Sequence, residues 1–248
     1  MTDVEQGLIA AKYVKAAYSG SEGFLNAIRE EGLYDPQTDF VYDMTVAGEV
    51  EAHCHYCART NQMIVAVAGT NGAGDFMRDI WIGFKKWAGY RGHPGFVDAA
   101  QELLVKLIPI MANHRDQKPE LILCGHSLGG AICQWLQAAA AGEVRTCYTF
   151  GSPRAMTRGS AKKFHLMHGF NHLRFVNGAD FVPRALGIMY SHVGRLFFIR
   201  PDGQIVTGKE ATRADNGMWW RSLSSLGRRG ISRHGIQAYL DRLSDSLK

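Results

Sequence analysis

Apolar residues along the chain follow two kinds of spacing, and each kind predicts a different element. The strand-like runs "EVEAHCHYC" and "QMIVAVAG" flank the turn-prone "ARTN" and predict a β-hairpin. Helical spacing in "GFVDAAQELLVKLIPIMANH" predicts a helix, and another is predicted from Leu128. Short apolar strands are predicted at "ELILC", "CYTF" and "HLRFV". Because strands alternate with helices, we expect an α/β fold, a mainly parallel sheet covered by helices on both faces.

The two ends of the sequence extend this pattern. The carboxyl-terminal part adds a strand at "RLFFIR", a turn at "PDGQ", a short strand at "IVTG" and a closing helix after Arg233. The opening "MTDVEQGLIAAKYVKAAYSG" has the pattern of an amphipathic helix. No internal repeat or Pro/Ser-rich linker divides the 248 residues, so a single α/β domain over residues 1–248 is predicted.

Composition adds little to this picture. The net charge of +5 favours approach to anionic membranes or nucleic acid. No nucleic-acid-binding motif accompanies the charge, so no nucleic-acid partner is predicted. No run of eighteen apolar residues predicts a membrane-spanning helix, and the acidic start lacks the features of a signal peptide. The sequence as written is expected to be cytoplasmic, with a removed leader or a leaderless export route left open.

The five cysteines raise the question of a metal site. Cys124, Cys133 and Cys147 stand in apolar surroundings and are predicted to be small buried hydrophobic residues. The stretch "HCHYC" contains a C-x-x-C pair, but no second pair follows at zinc spacing. In a strand, Cys54 and Cys57 point to opposite faces. We therefore predict no metal site and no cofactor.

Ser127 is the candidate nucleophile. In "GHSLGG" it follows a predicted strand and precedes a predicted helix, which is the context of a nucleophile elbow. Gly125 and Gly129 flank it where a side chain would collide across a tight turn. The helix amino terminus would place backbone N–H groups near a developing oxyanion. The alternative is a glycine-rich turn in which the serine only caps the helix.

An acid must follow Ser127 in the chain order of this arrangement. Asp180 in "HLRFVNGADFVPRAL" lies just past a predicted buried strand, at the sheet edge where functional groups gather. Its alternative role is to cap a loop. The other aspartates are less suitable, because they precede Ser127 (Asp75, Asp79, Asp98) or stand in polar segments with nothing to bury them (Asp202, Asp215, Asp241).

Two histidines can serve as the base. His192 precedes the predicted strand "RLFFIR" and, if that strand is parallel, lies at the edge away from Ser127. His234 lies beyond the last strand, at the start of the closing helix. We therefore favour His234, with His192 as a packed or hydrogen-bonded structural residue.

The oxyanion hole is predicted from two backbone amides. One is the N–H of Leu128, directly after the nucleophile, and the other comes from the loop after an earlier strand. In "VAVAGTNGAGDF" we favour Thr70, whose hydroxyl can act as an additional clamp. The alternative is that these residues only form a turn.

Seven segments occur in the order of a known family: "VAVAGT", "DFMRDI", "GHPGFVDAA", "CGHSLGGAIC", "TFGSPRAM", "NGADFVPRAL" and "RHGIQAYL". Together they make the sequence resemble the fungal-lipase-like family, the class 3 lipases of the α/β-hydrolase fold. The resemblance implies catalytic roles for Ser127, Asp180 and His234 and an oxyanion role for Thr70. Ala68 replaces the family's usual arginine, and Phe76 stands where tryptophan is common.

These residues predict a serine esterase or lipase that cleaves lipid esters through an acyl-enzyme. A phospholipase A-type or small-ester hydrolase, or a silent relative that binds lipid or protein, remains an alternative. Residues 71–90 and 217–230 combine aromatic and basic side chains, which suits a lid or a transient contact with a lipid interface. Residues that simply pack into the protein core would show the same pattern. The apolar and aromatic side chains that form these patterns in the two segments are Met77, Ile80, Trp81, Phe84, Trp219, Leu223 and Leu226.

Overall fold

The computed structural model describes residues 1–46, 50–70, 83–140, 142–187, 189–218 and 233–248. Its strands are β1 Phe40–Asp43, β2 Ala52–Cys57, β3 Gln62–Val67, β4 Lys85–Trp87, β5 Tyr90–Gly92, β6 Glu120–His126, β7 Val144–Phe150, β8 His172–Asn177, β9 Arg195–Ile199 and β10 Ile205–Thr207. Its helices are α1 Asp3–Ala17, α2 Gly20–Glu30, α3 Pro94–Asn113, α4 Leu128–Ala139, α5 Arg158–His168, α6 Gly208–Gly217 and α7 Ile236–Asp245.

Eight of the strands form one sheet in the order β1-β2-β3-β6-β7-β8-β9-β10. The predicted hairpin is confirmed, because β2 and β3 pair antiparallel with Ala52 opposite Val67. Strands β3, β6, β7, β8 and β9 run parallel to one another. The final β9–β10 pair is antiparallel. The prediction of a mainly parallel sheet between helices is therefore confirmed.

Two apolar cores cover the faces of the sheet. On one face, α3, α4 and α5 pack through residues such as Phe96, Trp135 and Phe164. On the other face, α1, α2 and α7 pack through residues such as Val14 and Tyr239. Successive strand residues point to opposite faces, so one strand contributes to both cores.

The amino-terminal segment forms the predicted helix, α1. Thr2 and Glu5 form a capping box, in which each side chain accepts a hydrogen bond from the other residue's backbone N–H. The apolar face of α1 is buried on the sheet. Among the described residues, no helix combines the length and the apolar character that a membrane crossing requires.

All five cysteines are buried and carry free thiols. Cys124, Cys133 and Cys147 lie in the apolar cores, as predicted. Cys54 belongs to one core and Cys57 to the other, so the prediction that they point to opposite faces is confirmed.

Several elements have no counterpart in the sequence pattern. The edge strand β1, the small β4–β5 hairpin and helices α2, α5 and α6 are of this kind. Helix α5, "RGSAKKFHLMH", buries Ala161 and Phe164 within an otherwise polar or exposed segment. So few buried positions give only a weak periodic signal.

Candidate active site

Ser127 stands at the junction of β6 and α4 with an unusual backbone conformation. Its φ is 54° and its ψ is −125°, in the left-handed range of φ that residues with a side chain rarely adopt. The Ser127 N–H donates to the Phe150 carbonyl of the neighbouring strand at 2.9 Å. A strained backbone at a strand-to-helix turn is the geometry of a nucleophile elbow.

The two glycines around Ser127 are required by close backbone approach. A Cβ on Gly125 would overlap the carbonyl oxygen of Gly129, and a Cβ on Gly129 would overlap the carbonyl oxygen of Val67. The steric reason given for these glycines from the sequence therefore agrees with the structure.

Ser127, His234 and Asp180 are joined by hydrogen bonds in that order. Ser127 Oγ lies 2.9 Å from His234 Nε2, and His234 Nδ1 lies 3.0 Å from Asp180 Oδ2. All three side chains are buried, and Asp180 is fully enclosed. A carboxylate can only accept, so Nδ1–H donates to Asp180 and Nε2 accepts from the serine hydroxyl. This is the protonation pattern in which a histidine acts as general base.

Further donors hold the Asp180 carboxylate in place. The Tyr239 hydroxyl donates to Oδ2 at 2.7 Å, and the Val182 N–H donates to Oδ1 at 3.0 Å. Burial, followed by the Asp180 charge, raises the pKa of Tyr239 well above its usual range, so this phenol is a neutral donor at physiological pH. The sequence shows an aromatic residue at this position but does not show this contact.

Tyr18 and His126 connect Gly69, in the predicted oxyanion segment, with the backbone of His234 through hydrogen bonds. The Gly69 N–H donates to the Tyr18 hydroxyl at 2.7 Å, and that hydroxyl donates to His126 Nδ1 at 2.6 Å. His126 Nε2–H in turn donates to the His234 carbonyl oxygen at 2.5 Å. Burial, and then the proximity of His234, holds the pKa of His126 well below its usual range, so its ring is neutral. Sequence reasoning missed both residues, because they contact partners far away in the chain.

The predicted oxyanion segment lies beside the nucleophile. A Cβ on Gly69 would come 2.8 Å from the Ser127 Cβ, so Gly69 is in direct contact with the elbow. The Thr70 Oγ1 is buried and has no hydrogen-bond partner among the described residues. Leu128 is the first residue of α4, where backbone N–H groups have no partner within the helix. Leu128 therefore directly follows the nucleophile, and Thr70 directly follows a residue that contacts the elbow.

The alternative acids and base lie elsewhere. Asp98 is exposed and pairs with Lys85. The expectation that Asp215 has nothing to bury it is wrong, because its carboxylate forms an ion pair of 2.5 Å with the buried Arg184. His192 Nε2 contacts the Pro183 carbonyl at 2.6 Å, in the loop that carries Asp180, and takes the hydrogen-bonded structural role predicted for it. Asp75 and Asp79 lie outside the described residues.

One buried group of potential metal ligands lies within the described part of the chain. Asp39, His55 and Cys57 have ligand atoms within 4.8 Å of one another. The Tyr13 hydroxyl donates to His55 Nδ1 at 2.7 Å, and His55 Nε2–H donates to Asp39 at 3.0 Å. Both nitrogens of the imidazole are therefore already hydrogen-bonded. This cluster is separate from Ser127, and the chemistry of the site does not involve it.

Comparison with known proteins identifies the family. The model of the class 3 lipases matches residues 64–190, just over half of the chain. The chain therefore belongs to the class 3 lipase family. A rice protein, "Phospholipase A1-II 2" from Oryza sativa subsp. indica, is 29% identical over 111 residues, which are 39% of this chain and 28% of the rice protein. The chain thus spans less than a third of that relative's length.

Solved structures of fungal lipases share the fold. The lipase from Rhizopus microsporus var. chinensis aligns with a TM-score of 0.67 at 17% identity, covering 87% of this chain and 80% of that lipase. The Rhizomucor miehei lipase in its propeptide complex aligns with a TM-score of 0.65 at 17% identity, covering 84% and 72%. At this identity the likeness shows the fold alone, which is the predicted α/β-hydrolase.

Proposed function

We propose that this protein hydrolyses carboxylic esters of lipids by acyl transfer through Ser127. The observation that carries the proposal is the hydrogen-bonded line from Asp180 through His234 to Ser127, on a strained elbow. A serine hydroxyl is a weak nucleophile until a positioned base takes its proton. The structure supplies such a base 2.9 Å away. Membership of the class 3 lipases supports the same activity.

Each residue has a defined task in this reaction. Ser127 Oγ attacks the ester carbonyl carbon while His234 Nε2 takes the hydroxyl proton, and that proton then goes to the leaving alcohol. The backbone N–H groups of Leu128 and Thr70 stabilise the negative oxygen of the tetrahedral intermediate. Water, deprotonated by His234, then releases the acid from the acyl-enzyme. Asp180 orients His234 and stabilises its charged form.

Acylglycerols are the proposed substrates, and phospholipids are the second candidate. Membership of the class 3 lipases supports acylglycerols, and the match to a rice phospholipase A1 supports phospholipids. Fatty-acid release from trioleoylglycerol, dioleoyl phosphatidylcholine and a soluble short-chain ester should separate these activities. We expect the highest rate on the acylglycerol. Faster release from phosphatidylcholine would establish the second candidate instead.

A catalytically silent relative would bind lipid without turnover. The buried Ser127–His234 hydrogen bond argues against this alternative. Under the proposal, the wild-type protein releases fatty acid and Ser127→Ala does not. Equal, background rates for both proteins on all three substrates would overturn the proposed activity.

We also propose that the protein makes transient contact with a lipid interface. The segments predicted to form it lie mostly in residues 71–82 and 219–232, outside the described residues. Phe84, at the border of the first segment, is 40% exposed, and the Arg91 guanidinium lies 4.5 Å from its ring centroid. An exposed aromatic ring beside a cation suits an anionic lipid surface. Higher activity on anionic emulsions than on neutral ones would support this contact, and equal activity would oppose it.

A further inference from the structure

Arg174 is a buried guanidinium without a hydrogen-bond partner among the described residues. It lies in the middle of β8, opposite Thr149 of β7 and Leu196 of β9. The residue is only 7% exposed, and its Nε and Nη1 atoms are enclosed and unbonded. Nearly all buried polar groups in native proteins have a partner, so an unpaired buried cation needs a compensating group.

The charged groups that act on Arg174 include one carboxylate, Asp215, and two further guanidinium groups, Arg154 and Arg184. Arg154 follows β7 and Arg184 follows β8, and both cations act unfavourably on Arg174. The carboxylate that acts on Arg174 and Arg154 is Asp215. Asp215 is within ion-pair distance of Arg184, and no such pair joins it to Arg174 within the described chain.

Arg174 keeps its charge in these surroundings. Burial, with Arg154 and Arg184 acting in the same direction, lowers the pKa of Arg174 to about 10. The guanidinium is therefore still protonated at pH 7. His192, which packs near the same arginines, has a pKa well below its usual range because of burial and these cations, so its ring is neutral and adds no further positive charge.

We propose that Arg174 holds one small monovalent inorganic anion of the chloride class. The anion would accept hydrogen bonds from the enclosed Nε–H and Nη1–H of Arg174 and offset the excess of guanidinium charge. The depth of Arg174 favours a small ion, because a phosphate or sulfate would have to lose a much larger hydration energy. It also places the site out of reach of a lipid headgroup.

The site lies next to the loop that presents Asp180. Arg184 donates to the Gly178 carbonyl at 3.0 Å and also to the Asp180 carbonyl, and Arg154 donates to the Arg184 carbonyl at 3.2 Å. Neutralising this cluster would therefore stabilise the loop as well as the core. The inference concerns stability and does not rest on the proposed function.

Thermal unfolding at constant ionic strength tests the proposal. Sodium gluconate would be replaced stepwise by sodium chloride, since gluconate is too large for an enclosed site. Above the dissociation constant, each tenfold rise in chloride should raise the Tm by about 3 to 6 °C, because the ion binds only the folded state. A Tm that is equal in gluconate and chloride would overturn the proposal.

Three variants locate the effect. Arg174→Met should remove the chloride dependence, whereas Arg158→Met, at an exposed arginine of α5, should keep it. Leu196→Glu places a carboxylate directly opposite Arg174, so its Tm in gluconate should rise and its response to chloride should weaken. An unchanged response in a folded Arg174→Met protein would contradict the assignment.

Bromide crystallography decides the case if Arg174→Met does not fold. Crystals of the wild-type protein grown in bromide should show an anomalous peak within hydrogen-bond distance of the Arg174 guanidinium. Water alone at that position, without an anomalous peak, would overturn the proposal.

Discussion

His126 Nε2 lies 2.5 Å from the main-chain carbonyl oxygen of His234, so the residue before the proposed nucleophile holds the backbone of the proposed base. The other nitrogen of His126 accepts from Tyr18, which accepts in turn from the Gly69 N–H. A single hydrogen-bonded line therefore joins the proposed base to the proposed oxyanion segment. Tyr18 directly follows α1 and lies outside the part of the chain that the family model matches.

Tyr18→Phe tests whether this line positions the site. The change removes the acceptor for the Gly69 N–H and the donor to His126. We expect kcat to fall about tenfold, which corresponds to roughly 1.4 kcal/mol, with little change in KM. Tyr148→Phe is the matched control, since the Tyr148 hydroxyl contacts Gln6 instead. Equal kcat values for the two variants would argue against a positioning role.

Thr70→Val tests the proposed oxyanion clamp. The substitution keeps the branched shape and removes the hydroxyl, which is buried and unpartnered among the described residues. If the hydroxyl contacts the oxyanion, kcat should fall by about 10²-fold while KM changes little. Thr70→Ser retains the hydroxyl and should keep most of the activity. A fully active valine variant would leave only the backbone amide in this role.

Gly125→Ala tests the steric requirement at the elbow. Its Cβ would overlap the Gly129 carbonyl, so we expect unfolding to become easier by about 1 to 3 kcal/mol and turnover to fall. Gly159→Ala, in helix α5, meets no atom within 4 Å and should be neutral or slightly stabilising. Urea unfolding of both variants makes the comparison. If Gly125→Ala were as stable as the control, a Cβ at position 125 would not collide with the Gly129 carbonyl.

Acid should destabilise the fold through its buried histidines. Burial lowers the pKa of His172 to about 3, and the pKa values of His53, His55, His126 and His192 are also lowered. The unfolded chain takes up protons below about pH 6.5 while the native state does not, so stability is retained above that pH and falls below it.

His172→Gln removes one of these titrating groups and so measures its share of the acid sensitivity. His172 donates to Gln137 at 2.7 Å, and glutamine can keep a donor there without titrating. Between pH 6 and pH 4, this variant should lose stability less steeply than wild type, by about 1.4 kcal/mol per pH unit. His165→Gln, at an exposed position of α5, serves as the control. Identical slopes for both variants would contradict this account of the acid sensitivity.

The sequence predicts the parts of this molecule whose signals are local. The glycines beside Ser127, the apolar run before it and the helix after it occupy one short segment. Asp180 could be selected because it follows a recognisable strand, and His234 because it stands at the start of a recognisable helix. In the structure, hydrogen bonds join the side chains of Ser127, His234 and Asp180. This agrees with the prediction from their order in the chain and from their expected place at one edge of the sheet.

The contacts that position the site have no local signal. Tyr18 lies 108 residues from His126, and Tyr239 lies 59 residues from Asp180. Nothing next to these tyrosines in the sequence distinguishes them from other buried aromatic residues. Asp215 was misjudged for a related reason, since its polar neighbours conceal the buried Arg184 that pairs with it.

Covalent labelling with a fluorophosphonate tests whether Ser127 is an activated nucleophile. Only a serine made reactive by its surroundings attacks the phosphorus and displaces fluoride. We expect one phosphonyl group per chain, located by peptide mass spectrometry on Ser127 and abolished in His234→Gln. A folded wild-type protein that stays unlabelled, or that is labelled at another residue, would contradict this expectation.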